Sequence, residues 1–232
     1  MAAGLGSRFG HYTDLIPKGF VEIGGIPMII RSIETLLCCG IERIVIGTGY
    51  KYDAYEELKT RYPMIETCFS SRYAETNSMY TLFNMRKLIG DDSFILLESD
   101  LVFDKKAIIS LLNDKHDTIL LSTPVTKFQD QYYIETDNKG FLVNCSENKD
   151  EINYLGEFVG IHKLSNQFYK QLCKYYESIV SEQPKLGYEY ALLYMSNNNN
   201  PIYVLNTSDV KWYEIDDVDD LKYAEENVLP FI

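Results

Sequence analysis

Met1-Ala2-Ala3-Gly4-Leu5-Gly6-Ser7-Arg8, with Ile16-Pro17-Lys18 closing the same stretch, is the part of this chain whose reading decides its fold. Ala2, Ala3, Gly4 and Gly6 carry little or no side chain, so backbone N–H groups there can approach a ligand closely. Arg8 and Lys18 supply positive charge where phosphates would lie. The stretch reads as a loop that holds a nucleoside triphosphate, with Ala2, Ala3, Gly4, Gly6 and Ser7 against the nucleotide. Spacing alone leaves a second reading open. Phe9 stands where a dinucleotide-binding loop needs its third glycine, and Glu22 lacks the strand context of the acidic partner. A P-loop needs Gly-Lys followed by Ser or Thr, whereas Lys18 is followed by Gly19. An N-terminal Gly-rich turn with solvated Arg8 and Lys18 accounts for the spacing equally well.

A Gly-rich phosphate loop normally follows a buried strand that aims it. Only Met1 precedes Ala2, so the expectation is a sheet whose first strand is missing upstream and whose central slot is partly empty, at a cost in stability. Downstream, Ile29, Ile30, Ile33, Leu36 and Leu37 recur at helical spacing behind Pro27, and Gly40 suits the residue after that helix. Arg43-Ile44-Val45-Ile46-Gly47 and Phe94-Ile95-Leu96-Leu97 are the continuous apolar runs of buried strands. Tyr52 to Tyr62 reads as a helix and Glu66 to Phe69 as a strand. Met79, Leu82, Phe83 and Leu88 read as one helix capped by Thr76 or Asn77. Asp137-Asn138-Lys139-Gly140 turns a hairpin between Gln131 to Thr136 and Phe141 to Cys145. Asp217 caps the last helix, with Asp220 placed as in a capping box. The alternation predicts an α/β fold with a mostly parallel mixed sheet flanked by helices, a hairpin-containing insertion, and a single domain over residues 1–232.

The chain has 232 residues, 46% of them hydrophobic, enough for a packed core. A formal net charge of -12 argues against a nucleic acid polymer as partner, which would need a basic face. It does not argue against a nucleotide, because a few local cations and a metal can hold a triphosphate inside an acidic protein. The five cysteines are odd in number and lack Cys-x-x-Cys spacing, which fits free thiols in a reducing compartment. His11, His116 and His162 are too scattered for a zinc site. With no apolar leader and no run of membrane-spanning length, the expectation is a cytoplasmic protein without membrane insertion, with a homodimer left open.

Asp100 follows a continuous apolar strand, so it belongs at the carboxyl edge of the sheet, where ligands of open α/β sheets bind and where a carboxylate can hold Mg²⁺. Asp216 ends Trp212-Tyr213-Glu214-Ile215-Asp216, but with Asp217 it suits the start of the last helix just as well. Paired with Asp100 it would complete a two-carboxylate Mg²⁺ site. Nineteen tyrosines could supply an aromatic cage for a quaternary amine, although most read as residues packed on one side and wet on the other.

Ala2-Ala3-Gly4-Leu5-Gly6-Ser7-Arg8 with Pro17-Lys18 resembles the signature of nucleotidyltransferases that activate sugar phosphates and small alcohol phosphates. Ile16-Pro17-Lys18-Gly19-Phe20, Leu96-Leu97-Glu98-Ser99-Asp100, Gly156-Glu157-Phe158-Val159-Gly160-Ile161, Tyr188-Glu189-Tyr190-Ala191-Leu192-Leu193 and Glu214-Ile215-Asp216 look more narrowly like the group of 2-aminoethylphosphonate and bacterial phosphocholine cytidylyltransferases. The resemblance implies a Rossmann-like nucleotidyltransferase fold, CTP as nucleotide, transfer of CMP to 2-aminoethylphosphonate with release of pyrophosphate, and Mg²⁺ on Asp100 and Asp216. It implies that Arg8 and Lys18 bind phosphate and, with Asp100, carry catalysis, and that Asn77 and Ser78 lie near the base and the acceptor. Phosphocholine is the alternative acceptor, favoured by Tyr80. A sugar 1-phosphate acceptor and a non-catalytic nucleotide-binding regulator are further alternatives. For the amine-bearing acceptor, Lys127 is the candidate for the anionic end, and Asp130 and Glu189 are the candidates for the ammonium. Solvated surface charge is an equal alternative for all three.

Overall fold

A computed structural model describes residues 1–127 and 131–232, apart from the side chains of His11 and Tyr12. After a 3₁₀ segment at Ser7–Thr13, Gly24 and Gly25 turn a minimal hairpin between β1 (Glu22–Ile23) and β2 (Ile26–Pro27). Helix α1 (Met28–Cys38) buries Met28, Ile29, Ile33 and Leu36 and stops before Gly40, whose φ of +82° is the left-handed conformation glycine adopts without strain. Strand β3 (Ile44–Thr48), helix α2 (Tyr52–Arg61) and strand β4 (Ile65–Phe69) form a β-α-β unit with a parallel ladder.

The single helix expected from Met79 to Leu88 is two, α3 (Ser78–Asn84) and α4 (Arg86–Ile89), joined at Met85. Asn77 caps the first, its Oδ1 accepting from Ser78 N–H at 2.8 Å. Next come β5 (Phe94–Leu97), β6 (Leu101–Phe103), α5 (Lys106–Asn113) and β7 (Ile119–Thr123). The expected hairpin is β8 (Tyr133–Thr136) with β9 (Leu142–Ser146). The chain closes with β10 (Gly156–Leu164), α6 (Asn166–Ile179), α7 (Tyr188–Asn197), β11 (Tyr203–Asn206), β12 (Trp212–Glu214) and α8 (Val218–Asn227).

The six-stranded sheet is mixed, with β7–β11 parallel and β10 antiparallel to β5, β7 and β8, while β3–β4 forms a separate two-stranded parallel ladder. The direction of β10 follows from its place after the hairpin, which returns the chain against β7. Helices α3, α6 and α7 bury Met79, Leu82, Leu172 and Leu192 on one face, and α1, α2 and α5 bury Ile33, Leu58, Ile108 and Leu111 on the other. A third cluster joins Phe9, Val21, Ile23 and Met28 to Tyr213, Ile215 and Ala224, which ties the N-terminal loop to α8. Among the described residues no helix is long and apolar enough to cross a membrane.

Between β3 and β5 no strand intervenes among the described residues. A cavity of about 410 Å³ lies there, with Ile29, Ile33, Ile44, Ile46, Phe94 and Leu96 in its walls. The Met1 amine donates to Leu97 O, and Ala2 N–H donates to Gly47 O at 2.8 Å, so these two residues span the gap at one end.

Candidate active site

Two backbone arrangements bring residues 18, 100 and 216 together. Pro17 is extended, with φ -71° and ψ 155°, and delivers Lys18 to the start of a 3₁₀ turn. Gly19 then passes so close to the strand loop that an added Cβ would lie 3.1 Å from Tyr55 Oη and 3.3 Å from Ser99 O. Meanwhile β6 pairs antiparallel with β12, and Ile215 N–H donates to Asp100 O at 3.0 Å. That pairing sets Asp216 beside Asp100. Asp217 takes the capping role, its Oδ1 accepting from Asp219 N–H and Asp220 N–H, both at 2.9 Å. Asp216 keeps its carboxylate for the site, at 3% exposure.

Lys18 Nζ donates to Asp100 Oδ2 at 2.6 Å and to Asp216 Oδ1 at 2.7 Å. Arg8 donates to the same Asp216 oxygen at 2.8 Å. Lys127 Nζ reaches Asp216 Oδ2 at 3.2 Å, Asp220 Oδ2 at 3.1 Å and Glu214 O at 3.3 Å. Burial works against the charge on Lys18, but Asp100 and Asp216 outweigh it and hold the ammonium above its ordinary pKa. Burial likewise opposes the Asp216 charge, and Lys18, Lys127 and Arg8 hold that carboxyl below its usual range. Three cations therefore converge on one carboxylate, a concentration of positive charge in an otherwise acidic protein.

Beside this cluster lies a cavity of about 330 Å³. Its lining includes Ala2, Ala3, Gly4 and Lys18, then Tyr73, Asn77, Ser78 and Tyr132, and a carboxylate wall of Glu98, Asp100, Glu189 and Glu214. One oxygen each of Glu98, Asp100 and Glu214 lie within 4.8 Å of one another. Burial, then repulsion from Asp100 and Glu189, pushes Glu98 up to about 8. Burial also lifts Glu189 to about 7, and Glu214 lies well above its ordinary value through burial and its neighbours Asp100 and Glu98. Two glycines make room for the wall. A Cβ on Gly160 would come 2.7 Å from Glu98 Oε2, and one on Gly187 would come 2.5 Å from Glu189 Oε2. Gly160 sits at φ +75° in a bulge of β10 between Phe158 and His162, a local irregularity of the kind found beside active sites.

Of the residues singled out from sequence, Ala2, Ala3, Gly4, Lys18, Asn77, Ser78, Asp100 and Glu189 line this cavity. Arg8 and Asp216 join through the ion cluster. Gly6 and Ser7 act one step back. Gly6, at φ +64°, turns the loop and accepts from Phe9 N–H, and Ser7 opens the 3₁₀ segment. Lys127 packs behind Asp216 rather than on the cavity wall, and Asp130 lies outside the described residues. Glu98, Glu214 and Tyr132 were not singled out. The signal for the two glutamates was present as Glu98-Ser99-Asp100 and Glu214-Ile215-Asp216, because residues two apart on an extended chain share a face.

The model of the MobA-like NTP transferase domain matches residues 1–153, more than half of the chain. The chain belongs to that family. Over 108 residues the chain is 32% identical to a 2-aminoethylphosphonate cytidylyltransferase of Lancefieldella rimae, an alignment covering 47% of this chain and 44% of that protein, so it spans less than half of that relative's length. A choline-phosphate cytidylyltransferase of Haemophilus influenzae is 25% identical over 99% of this chain and 96% of its own length. Among solved structures, the CTP:phosphocholine cytidylyltransferase of Streptococcus pneumoniae superposes with a TM-score of 0.80 at 22% identity, covering 97% of this chain and 95% of that one. The nucleotidyltransferase fold expected from the sequence is therefore the fold observed.

Proposed function

We propose that this chain transfers CMP from CTP to 2-aminoethylphosphonate and releases pyrophosphate. The observation that carries the reading is Lys18, clamped between Asp100 and Asp216 in the wall of a cavity that the Ala2–Gly4 loop also lines. The names of the two relatives supply the nucleotide and the acceptor class. In the reaction, a phosphonate oxygen attacks the α-phosphorus of CTP in line. The bond from the α-phosphorus to the bridging oxygen breaks, and pyrophosphate leaves with that electron pair. The attacking oxygen is already anionic near neutral pH, so no general base is required. Catalysis is then positioning and charge stabilisation. Lys18 and Arg8 offset charge on the transferring and leaving phosphates, and the small residues of the loop let backbone N–H groups approach them.

The donor set also fits a divalent cation. Asp100 Oδ1 is buried without a hydrogen-bond partner, and Asp216 faces it across Lys18, both hard oxygen donors of the kind Mg²⁺ takes together with phosphate oxygens. Asp100 and Asp216 would hold the ion, which would supply charge neutralisation at the phosphates. The carboxylate wall of Glu98, Glu189 and Glu214 favours an acceptor with N–H groups to donate. Phosphocholine is the second reading, supported by Tyr55, Tyr73 and Tyr132 in the same cavity, since a trimethylammonium group prefers aromatic faces.

A pyrophosphate-release panel tests the reading by crossing CTP, UTP, ATP and GTP with aminoethylphosphonate, phosphocholine, phosphoethanolamine and sugar 1-phosphates, with and without Mg²⁺. Release with CTP and aminoethylphosphonate is expected, and the variant Asp100→Ala should lose nearly all of it. Silence with CTP and every amine acceptor would overturn the proposal.

A further inference from the structure

The backbone carbonyls of the N-terminal loop are taken up by residues outside the cavity. Thr13, at 4% exposure, shares its hydroxyl proton between Gly6 O at 3.0 Å and Gly10 O at 3.2 Å. Tyr50 N–H donates to Ala3 O at 3.3 Å, and the Tyr50 hydroxyl donates to Thr13 O at 3.2 Å. Lys51 Nζ donates to Asp14 O. The turn from β3 into α2 therefore holds the loop at both ends, and Thr13 ties its middle to itself.

Two features of that turn make the contact possible. Gly49 lets the chains come close, since a Cβ there would lie 2.6 Å from Ala3 O and 2.7 Å from Tyr73 Cβ. Lys51 has φ 49° and ψ 43°, the left-handed region that residues other than glycine seldom adopt. Such outliers persist where their surroundings hold them, and they cluster at ligand clamps. Thr13 is fitted just as closely. A Cβ on Gly6 would meet Thr13 Cγ2 at 3.2 Å and Lys18 Cβ at 3.1 Å, so the threonine methyl packs on the glycine whose carbonyl its hydroxyl holds.

Each of these bonds ends on a carbonyl oxygen. In a trans peptide the following N–H points the opposite way. Tyr50 on Ala3 O thus turns Gly4 N–H away from itself, and Thr13 on Gly6 O does the same for Ser7 N–H. A backbone with its carbonyls drawn back and its N–H groups left open suits an anion.

We propose that Gly49, Tyr50, Lys51 and Thr13 form a clamp that sets the loop for a triphosphate. They are positioning residues: none of the four belongs to the described cavity wall, so their effect on the phosphates passes through the loop. The clamp rests on reading this loop as the phosphate site, as the transfer reading does, but it needs neither the base nor the acceptor. A loop held in place before binding spares the ligand the cost of ordering it.

Calorimetric binding of inorganic tripolyphosphate and of CTP, with and without Mg²⁺, tests this in wild type, Thr13→Val, Thr13→Ser, Tyr50→Phe and Lys51→Met. Thr13→Val keeps the methyl against Gly6 and loses the hydroxyl. It should weaken both ligands about fivefold, the scale of one neutral hydrogen bond. Tyr50→Phe and Lys51→Met should weaken both as well, while Thr13→Ser, which keeps the donor, should stay within about twofold of wild type. Hydrogen exchange at residues 4–14 should quicken in the weakened variants and stay unchanged in α6. Thermal melts identify any variant that fails to fold; Tyr50 and Lys51 are only half-buried, so their variants carry the test if Thr13→Val unfolds. Wild-type affinity for tripolyphosphate in Tyr50→Phe and Lys51→Met would overturn the clamp. So would a loss in Thr13→Ser equal to that in Thr13→Val, or no tripolyphosphate binding by wild type. The expected pattern with tripolyphosphate, but no pyrophosphate release from CTP with any amine acceptor, would count against the transfer reading and leave the clamp standing.

Discussion

Lys18→Met keeps most of the side chain's length and apolar stem and removes the charge between Asp100 and Asp216. Lys18 is 13% exposed and Asp216 3%, so the variant leaves a buried carboxylate short of its nearest cation. Removing one partner of a buried pair typically costs about 3–5 kcal/mol. Asp100 is 20% exposed, and Arg8 and Lys127 still contact Asp216, so the cost here should be about 2–3 kcal/mol. For a chain of this size that lowers Tm by about 5–10 °C. The sign with pH is fixed by Asp216, whose carboxyl is held below its ordinary 3.8. A depressed carboxyl contributes stability above its unfolded pKa and loses it as pH falls through the folded value, so the gap between wild type and variant should close in acid. If Asp100 and Asp216 also hold a divalent cation, Mg²⁺ should restore part of the variant's Tm, and do so more than in wild type. Pyrophosphate release should fall by about 10²–10³. Thermal melts across pH and Mg²⁺, with single-turnover release assays, measure all three effects. Wild-type Tm together with wild-type turnover in Lys18→Met would refute the assignment of Lys18.

Gly160→Ala forces a side chain into a left-handed backbone position and toward Glu98 Oε2, 2.7 Å from the new Cβ. It should cost about 2 kcal/mol, read by urea unfolding, and raise KM for the acceptor more than for CTP; an unchanged midpoint would count against a tightly packed bulge. Glu189, lifted by burial from 4.5 to about 7, binds a proton in the folded chain that the unfolded chain has lost across that window. Stability should therefore fall as pH rises from 5 to 8, and Glu189→Gln should flatten that slope; equal slopes in urea titrations of the two proteins would contradict it.

Local physics wrote much of the scaffold into the sequence. The 3.6-residue recurrence of Ile29, Ile33 and Leu36 and the stop at Gly40 depend on neighbours within a turn or two, and each is found as read, with Asn77, one of two candidates, capping α3. Lys18 and Asp100 were legible for a related reason, since a proline-led lysine and the acid ending a buried strand carry their context with them. The helix break at Met85 was not legible, because tertiary contacts override a weak helical preference. The choice between Asp216 and Asp217 was also closed to local reasoning, as either can cap a helix. The pairing of β6 with β12 decided it, carrying Asp216 to Asp100 and leaving Asp217 at the helix end. The antiparallel course of β10 and its glycine bulge likewise belong to the assembled sheet. The sequence determined which residues could carry charge at the ends of strands. Only the tertiary structure decided which charges meet, because a buried ion cluster is set by strand pairing between residues far apart in the chain, where no local pattern reaches.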